Sequence, residues 1–132
     1  MVLTCGGSMI RIVCAEVPVR NLDRAIQFYQ AVFDARPAAT PQDGARRTTT
    51  LTPFGNADVA GFSLNRSRRF NPGNHGPLIY LDAGEDMTVY LRRIDQAGGY
   101  VITPKTALAS DGGSYATFLD TEGNLLALYS YP

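Results

Sequence analysis

From Asn21 onward, apolar residues fall at Leu22, Ala25, Ile26, Tyr29 and Val32. This is the i, i+3, i+4, i+7 stripe of an amphipathic helix, with Asn21 well suited to cap its first turn. The helix is expected to run through Phe33 and to end between Asp34 and Pro37. A shift of 65 positions places Asp86 on Asn21, and Met87, Tyr90, Leu91, Ile94 and Ala97 on the same five stripe positions. The second helix then meets Gly98 and Gly99, a C-terminal stop signal. The chain therefore reads as an internal duplication.

Similar segments surround each helix. A run rich in β-branched and aromatic residues precedes it, over 10–17 in the first half and 78–81 in the second. Strands are expected afterwards over 46–52 and 59–64, and in the second half over 100–103, 115–119 and 125–129. The last two are joined by Asp120, Thr121, Glu122, Gly123 and Asn124, a loop of turn formers in which Gly123 supplies a positive φ. Each half reads βαβββ, giving an α+β fold of two modules, about 9–65 and 78–132, linked by the polar, turn-rich stretch 65–77. Residues 107–113 form another loop, and the Gly-Gly-Ser-containing residues 1–8 read as an extension outside the fold. A helix covers only one face of its sheet, so the two open faces are expected to come together as a curved cup. Concave junctions of this kind suit small molecules.

With 132 residues, 45% of them hydrophobic and 18% charged, the chain has the material for one packed domain. Twelve basic residues balance twelve acidic ones. A net charge of zero argues against nucleic-acid and anionic-membrane partners. No apolar run approaches a spanning helix, and Arg11 interrupts the region where a secretory core would lie, so a cytoplasmic location is expected. Cys5 and Cys14 read as free thiols. Eleven of the twelve basic residues are Arg and only Lys105 is Lys, which disfavours Schiff-base chemistry.

Three segments, PVRNLDRAIQFYQAVFDARP, IYLDAGEDMTVYLRRIDQAGGYVITPKT and ATFLDTEGNLLALYS, carry a family resemblance across residues 9–132. The chain resembles the vicinal oxygen chelate superfamily, the glyoxalase, bleomycin-resistance and extradiol-dioxygenase fold. The resemblance implies the cup and a homodimer. It leaves function open, because that fold hosts lyases, isomerases, dioxygenases, thiol transferases and non-catalytic drug-binding proteins. In metal-dependent members the ligands come from the first and last strands of each half. The corresponding positions here hold Cys14, an apolar or hydroxyl residue within 59–64, Leu78 and Ala127. One soft thiol is left from four ligands, so neither a metal nor another cofactor is expected.

Strand alternation puts Glu16 on the face of Cys14. Cys14 is either a small buried hydrophobe or a reactive thiol. Glu16 is either an anchor or general base in the cup, or the partner of one of the arginines. His75 is the single histidine and falls in the linker, before the strand where a ligand is expected. Arg66, Arg68 and Arg69 solvate that linker or meet an anion. Tyr80, Tyr115 and Tyr129 offer aromatic walls or ordinary core packing, with Tyr80 and Tyr129 sharing the parity of Leu78 and Ala127. Lys105 is a weaker candidate at the cup rim.

Two functions follow. One is metal-free binding of an aromatic or apolar, neutral or cationic organic ligand by Cys14, Glu16, Tyr80, Lys105, Tyr115, Ala127 and Tyr129. The other is a glyoxalase-type lyase or isomerase with a rebuilt active site.

Overall fold

A computed structural model describes residues 10–38, 40, 42–44, 46–52 and 61–132; the extension expected over 1–8 lies outside the described residues. The elements are β1 (Cys14–Pro18), α1 (Leu22–Phe33), β2 (Arg36–Pro37), β3 (Gln42–Asp43), β4 (Arg46–Thr52), β5 (Gly61–Arg66), β6 (Tyr80–Asp82), α2 (Thr88–Gln96), β7 (Tyr100–Ala107), β8 (Ser114–Leu119) and β9 (Leu125–Ser130). They form two mixed sheets, ordered β1-β5-β4-β2, with β3 also on β4, and β6-β9-β8-β7. In each the first strand runs parallel to the last, and the remaining main-path pairs are antiparallel. This repeated order is the structural form of the duplication read from the two helices.

Asn21 caps α1, its side chain accepting from the Arg24 N–H, and Asp34 closes the helix with φ of 55°. The second helix departs from expectation at its start. Met87 occupies the N-cap position without a side-chain cap, while Asp86, one residue earlier, accepts the Thr88 N–H at 2.9 Å and its hydroxyl at 2.7 Å. Asp86 thus satisfies an otherwise unpaired donor of the first turn. Gly99 follows because the chain passes too close to its neighbours for a side chain: a Cβ there would lie 2.7 Å from both the Leu119 carbonyl oxygen and Phe28 Cε1.

The strand boundaries differ from the apolar runs. β1 begins only at Cys14, whose partner on β5 is Gly61, and Ile10, Ile12 and Val13 ahead of it are exposed. β5 extends to Arg66 rather than stopping at 64, while residues 59 and 60 lie outside the description. β7 continues to Ala107 through two irregularities in its pairing with β8. The two-residue β2, including Pro37, has no periodicity to betray it; its pairing with Leu51 and Thr52 defines it.

One apolar core spans both modules, and α1 joins them. Tyr29 packs on Phe62 of the first sheet with ring centroids 5.4 Å apart, and Phe28 stacks on Phe118 of the second at 6.3 Å. Phe33 stacks on Tyr90 of α2 at 5.5 Å. Among the described residues no helix is long and apolar enough to cross a membrane.

Candidate functional site

Because side chains alternate along β1, Ala15 and Val17 turn to the core while Cys14 and Glu16 occupy the opposite face. The parallel ladder sets Glu16 opposite Ser63, and the antiparallel ladder sets Ser63 opposite Thr50 and Asn65 opposite Thr48. The result is a polar cup face on the first sheet. Glu16 accepts from Arg46 Nη2 at 2.6 Å through Oε2, and from Asn65 Nδ2 at 2.5 Å through Oε1. Cys14 Sγ lies 3.6 Å from Ser63 Oγ, which is 3.0 Å from Thr50 Oγ1. Asn65 Oδ1 is buried beside this network and receives no hydrogen bond among the described residues. Glu16 therefore has the arginine partner of its plainer reading and still lines a cavity.

The second sheet supplies the aromatic counterpart. Tyr80 pairs with Ala127, and Ala127 with Thr117 across β9 and β8. Asp82 pairs with Tyr129, and Tyr129 with Tyr115, which places Tyr80, Asp82, Tyr115 and Tyr129 on one face. Tyr129 donates to Asp111 Oδ2 at 2.7 Å, and Tyr131 donates to Asp82 Oδ2 at 3.1 Å. The hydrogen bond to Asp111 raises the Tyr129 phenol above its usual range, while the same bond, with the Gly113 N–H, holds the Asp111 carboxyl low. Tyr80 is 55% exposed, whereas Ala127 is fully covered by its neighbours. Lys105 sits within β7, the far edge strand of this sheet. The Thr88 hydroxyl and N–H hold the Asp86 carboxyl below its ordinary value, and the Lys105 charge adds to this.

The two sheets meet at a cavity of about 310 Å³. Glu16 and Pro18 form its wall from β1, Leu78 and Leu125 its wall from the second module, and Phe70 and His75 its border from the linker. His75 thus stands in the loop that edges the cavity, a position that local pattern did not reveal. Asn124 holds this border in place: its Nδ2 donates to the Pro18 carbonyl at 2.7 Å, and its Oδ1 accepts the Gly73 N–H at 3.2 Å. The same hairpin anchors α1. Glu122 Oε1 accepts the N–H groups of Arg20 and Asn21, both at 2.9 Å, and Oε2 takes Arg24 Nε at 2.7 Å. A loop that reads as a turn therefore also fixes β1 and the start of α1. The DTEGN residues were the available signal, but their partners lie about a hundred positions away.

The donor set at the superfamily's metal positions does not match a transition-metal site. Cys14 has the hydroxyl of Ser63 as its neighbour on β5, and Leu78 and Ala127 offer only carbon. Among the described residues no group of three His, Cys, Asp or Glu is arranged to hold a metal ion, and a catalytic zinc requires about three protein ligands.

Residues 11–128 match the model of the Glyoxalase/Bleomycin resistance protein/Dioxygenase superfamily, and the chain belongs to that family. Its fold is similar to a glyoxylase/bleomycin resistance protein/dioxygenase domain from Frankia sp., with TM-score 0.75 and 16% identity, covering 95% of this chain and 94% of that one. A glyoxalase I variant from Zea mays superposes with TM-score 0.70 at 16% identity, covering 89% of this chain but 46% of the maize chain, so this chain spans about half its length. The fosfomycin resistance protein FosX from Listeria monocytogenes gives TM-score 0.67 at 14% identity, covering 95% of this chain and 94% of that one. No curated protein matches the sequence.

Proposed function

We propose that this protein binds a small organic molecule in the cup without a metal, and that the ligand has an aromatic or apolar body and is neutral or cationic. The observation that carries this reading is the cavity between Glu16 on one sheet and Leu125 on the other, with Leu78 just ahead of β6 beside it, a carboxylate facing apolar walls. Such a combination orients a ligand through a few polar contacts and desolvates its body against the rest. Asn65 Oδ1, buried and without a donor among the described residues, adds an acceptor beside Glu16, and the Tyr129–Asp111 and Tyr131–Asp82 pairs add phenols held by carboxylates at the second sheet's end. Tyr80, Tyr115 and Tyr129 lie outside the lining of this cavity, on one face of the second sheet, and in this reading extend the binding surface as an aromatic wall. Cys14 is a small neighbour of Glu16 and Lys105 a peripheral charge in it, while Ala127, covered by its neighbours, supports the wall from within the sheet.

The test is native mass spectrometry for a retained adduct, followed by thermal-shift and calorimetric titration with a panel of aromatic amines. Saturable binding is expected, weakened by Glu16→Gln and lost in Leu125→Asp. If no member binds and the protein, given nickel or zinc, isomerises the hemithioacetal of methylglyoxal and glutathione, the lyase reading replaces this one.

The protein is also proposed to act as a homodimer. Ile10, Ile12 and Val13 lead exposed into β1, an edge strand of its sheet, and exposed strand edges invite a partner. Sedimentation is expected to give twice the 14.3 kDa chain mass; a monomer at micromolar concentration contradicts this.

A further inference from the structure

On the first sheet, Arg46 and Asn65 turn into the cup to meet Glu16. Their chain neighbours Arg47 and Arg66 therefore project from the opposite face. These two arginines are direct partners across β4 and β5. With Arg20, just beyond β1, and Arg68, in the turn after β5, they line a groove of about 440 Å³ that Phe70 also lines. Among the described residues no acidic side chain lines it, and none of the four guanidinium groups is in an ion pair. Like charges placed directly opposite each other on a sheet destabilise it. The whole chain is electrically balanced, so this concentration of charge is local.

The groove is also held in shape. Arg66 Nε donates to the Arg20 carbonyl at 3.3 Å, and among the described residues the terminal nitrogens of Arg66 have no hydrogen-bond partner. The Arg20 N–H is in turn fixed by Glu122 Oε1 at 2.9 Å. Guanidinium groups held this way match the paired oxygens of a phosphate group.

We infer that the Arg20–Arg47–Arg66–Arg68 groove is a second binding site, which shares only Phe70 and Asn71 with the border of the cup, for a compact multivalent oxyanion of the phosphate class, free or as the head of a small ester. An extended polyanion fits less well, because the balanced chain offers no wider basic surface to follow a backbone. This inference does not rest on the proposed cup ligand.

Calorimetric titration with sodium pyrophosphate at fixed ionic strength tests it. Saturable binding of one anion per chain is expected, weakened about tenfold or more in Arg47→Gln/Arg66→Gln. The double variant should fold, as judged by circular dichroism, and its ligand-free Tm should be no lower than the parent's, since a like-charge pair has been removed. Arg92→Gln, which removes an exposed charge on α2, should leave pyrophosphate binding unchanged. Phenyl phosphate binding tighter than inorganic phosphate assigns an ester with its body against Phe70; equal binding assigns the free anion. Absence of saturable pyrophosphate binding, undiminished binding in the double variant, or binding of long duplex DNA without pyrophosphate binding would overturn the inference.

Discussion

Tyr29, at the centre of α1, donates its phenolic hydrogen to Oδ2 of Asp120 at 2.7 Å, across the boundary between the two modules. Tyr29 is wholly buried, and Asp120 is almost so. Burial pushes the Tyr29 phenol well above its ordinary value, with the Asp120 charge adding to it. Burial also raises the Asp120 carboxyl, against the pull of the hydrogen bonds from Tyr29 and Asn124 and from the Glu122 N–H. The pair ties the first module's helix to the second module's hairpin.

Tyr29→Phe keeps the ring against Phe28 and Phe62 but removes the donor, and Asp120 Oδ2 then retains only Asn124 Nδ2 at 3.1 Å. The expected loss is about 1–3 kcal/mol of unfolding free energy, read from urea denaturation. An unchanged midpoint would show that the bond does not couple the modules.

Glu122 sets an acid limit on stability. Burial alone would raise its carboxyl, but Arg24 and the N–H groups of Asn21 and Arg20 outweigh this and hold it below 4.5. A carboxyl lowered in the folded state contributes stability that is complete above its unfolded value and is lost as pH falls toward its folded one. Asp120, raised by burial, has the opposite sign and gains stability as pH falls through its folded value. The contribution of Glu122 is therefore best isolated as the difference between the parent and Glu122→Gln. That difference is expected to be about 2 kcal/mol near neutrality and to shrink below pH 4.5. A difference independent of pH would contradict the assignment.

The helices were legible because each carries its own stripe; Leu22, Ala25, Tyr29, Val32, Met87 and Ile94 are buried, and Ile26, Tyr90, Leu91 and Ala97 pack against them half-buried. The shared face of Cys14 and Glu16 was legible for the same reason, since alternation along one strand is a local property. Arg46 was not legible as the partner of Glu16, because the register of β4, β5 and β1 brings together positions 30 apart. The linker reads as a polar connection, and only its attachment to Asn124 makes Phe70 and His75 a border of the cavity. Similarly, Arg66 and Arg68 stand out in the sequence as part of a cluster, but the ladder that sets Arg47 opposite Arg66 is needed to define a groove.

The metal content of untagged protein, dialysed without chelator and measured by elemental analysis, tests the metal-free cup most directly. The chemistry of Cys14, Ser63, Leu78 and Ala127 leads to an expectation of far less than one equivalent of transition metal per chain, unchanged by Cys14→Ala or His75→Ala. About one nickel, zinc, manganese or iron per chain, lost in Glu16→Gln, would contradict it and assign Glu16 to a metal centre.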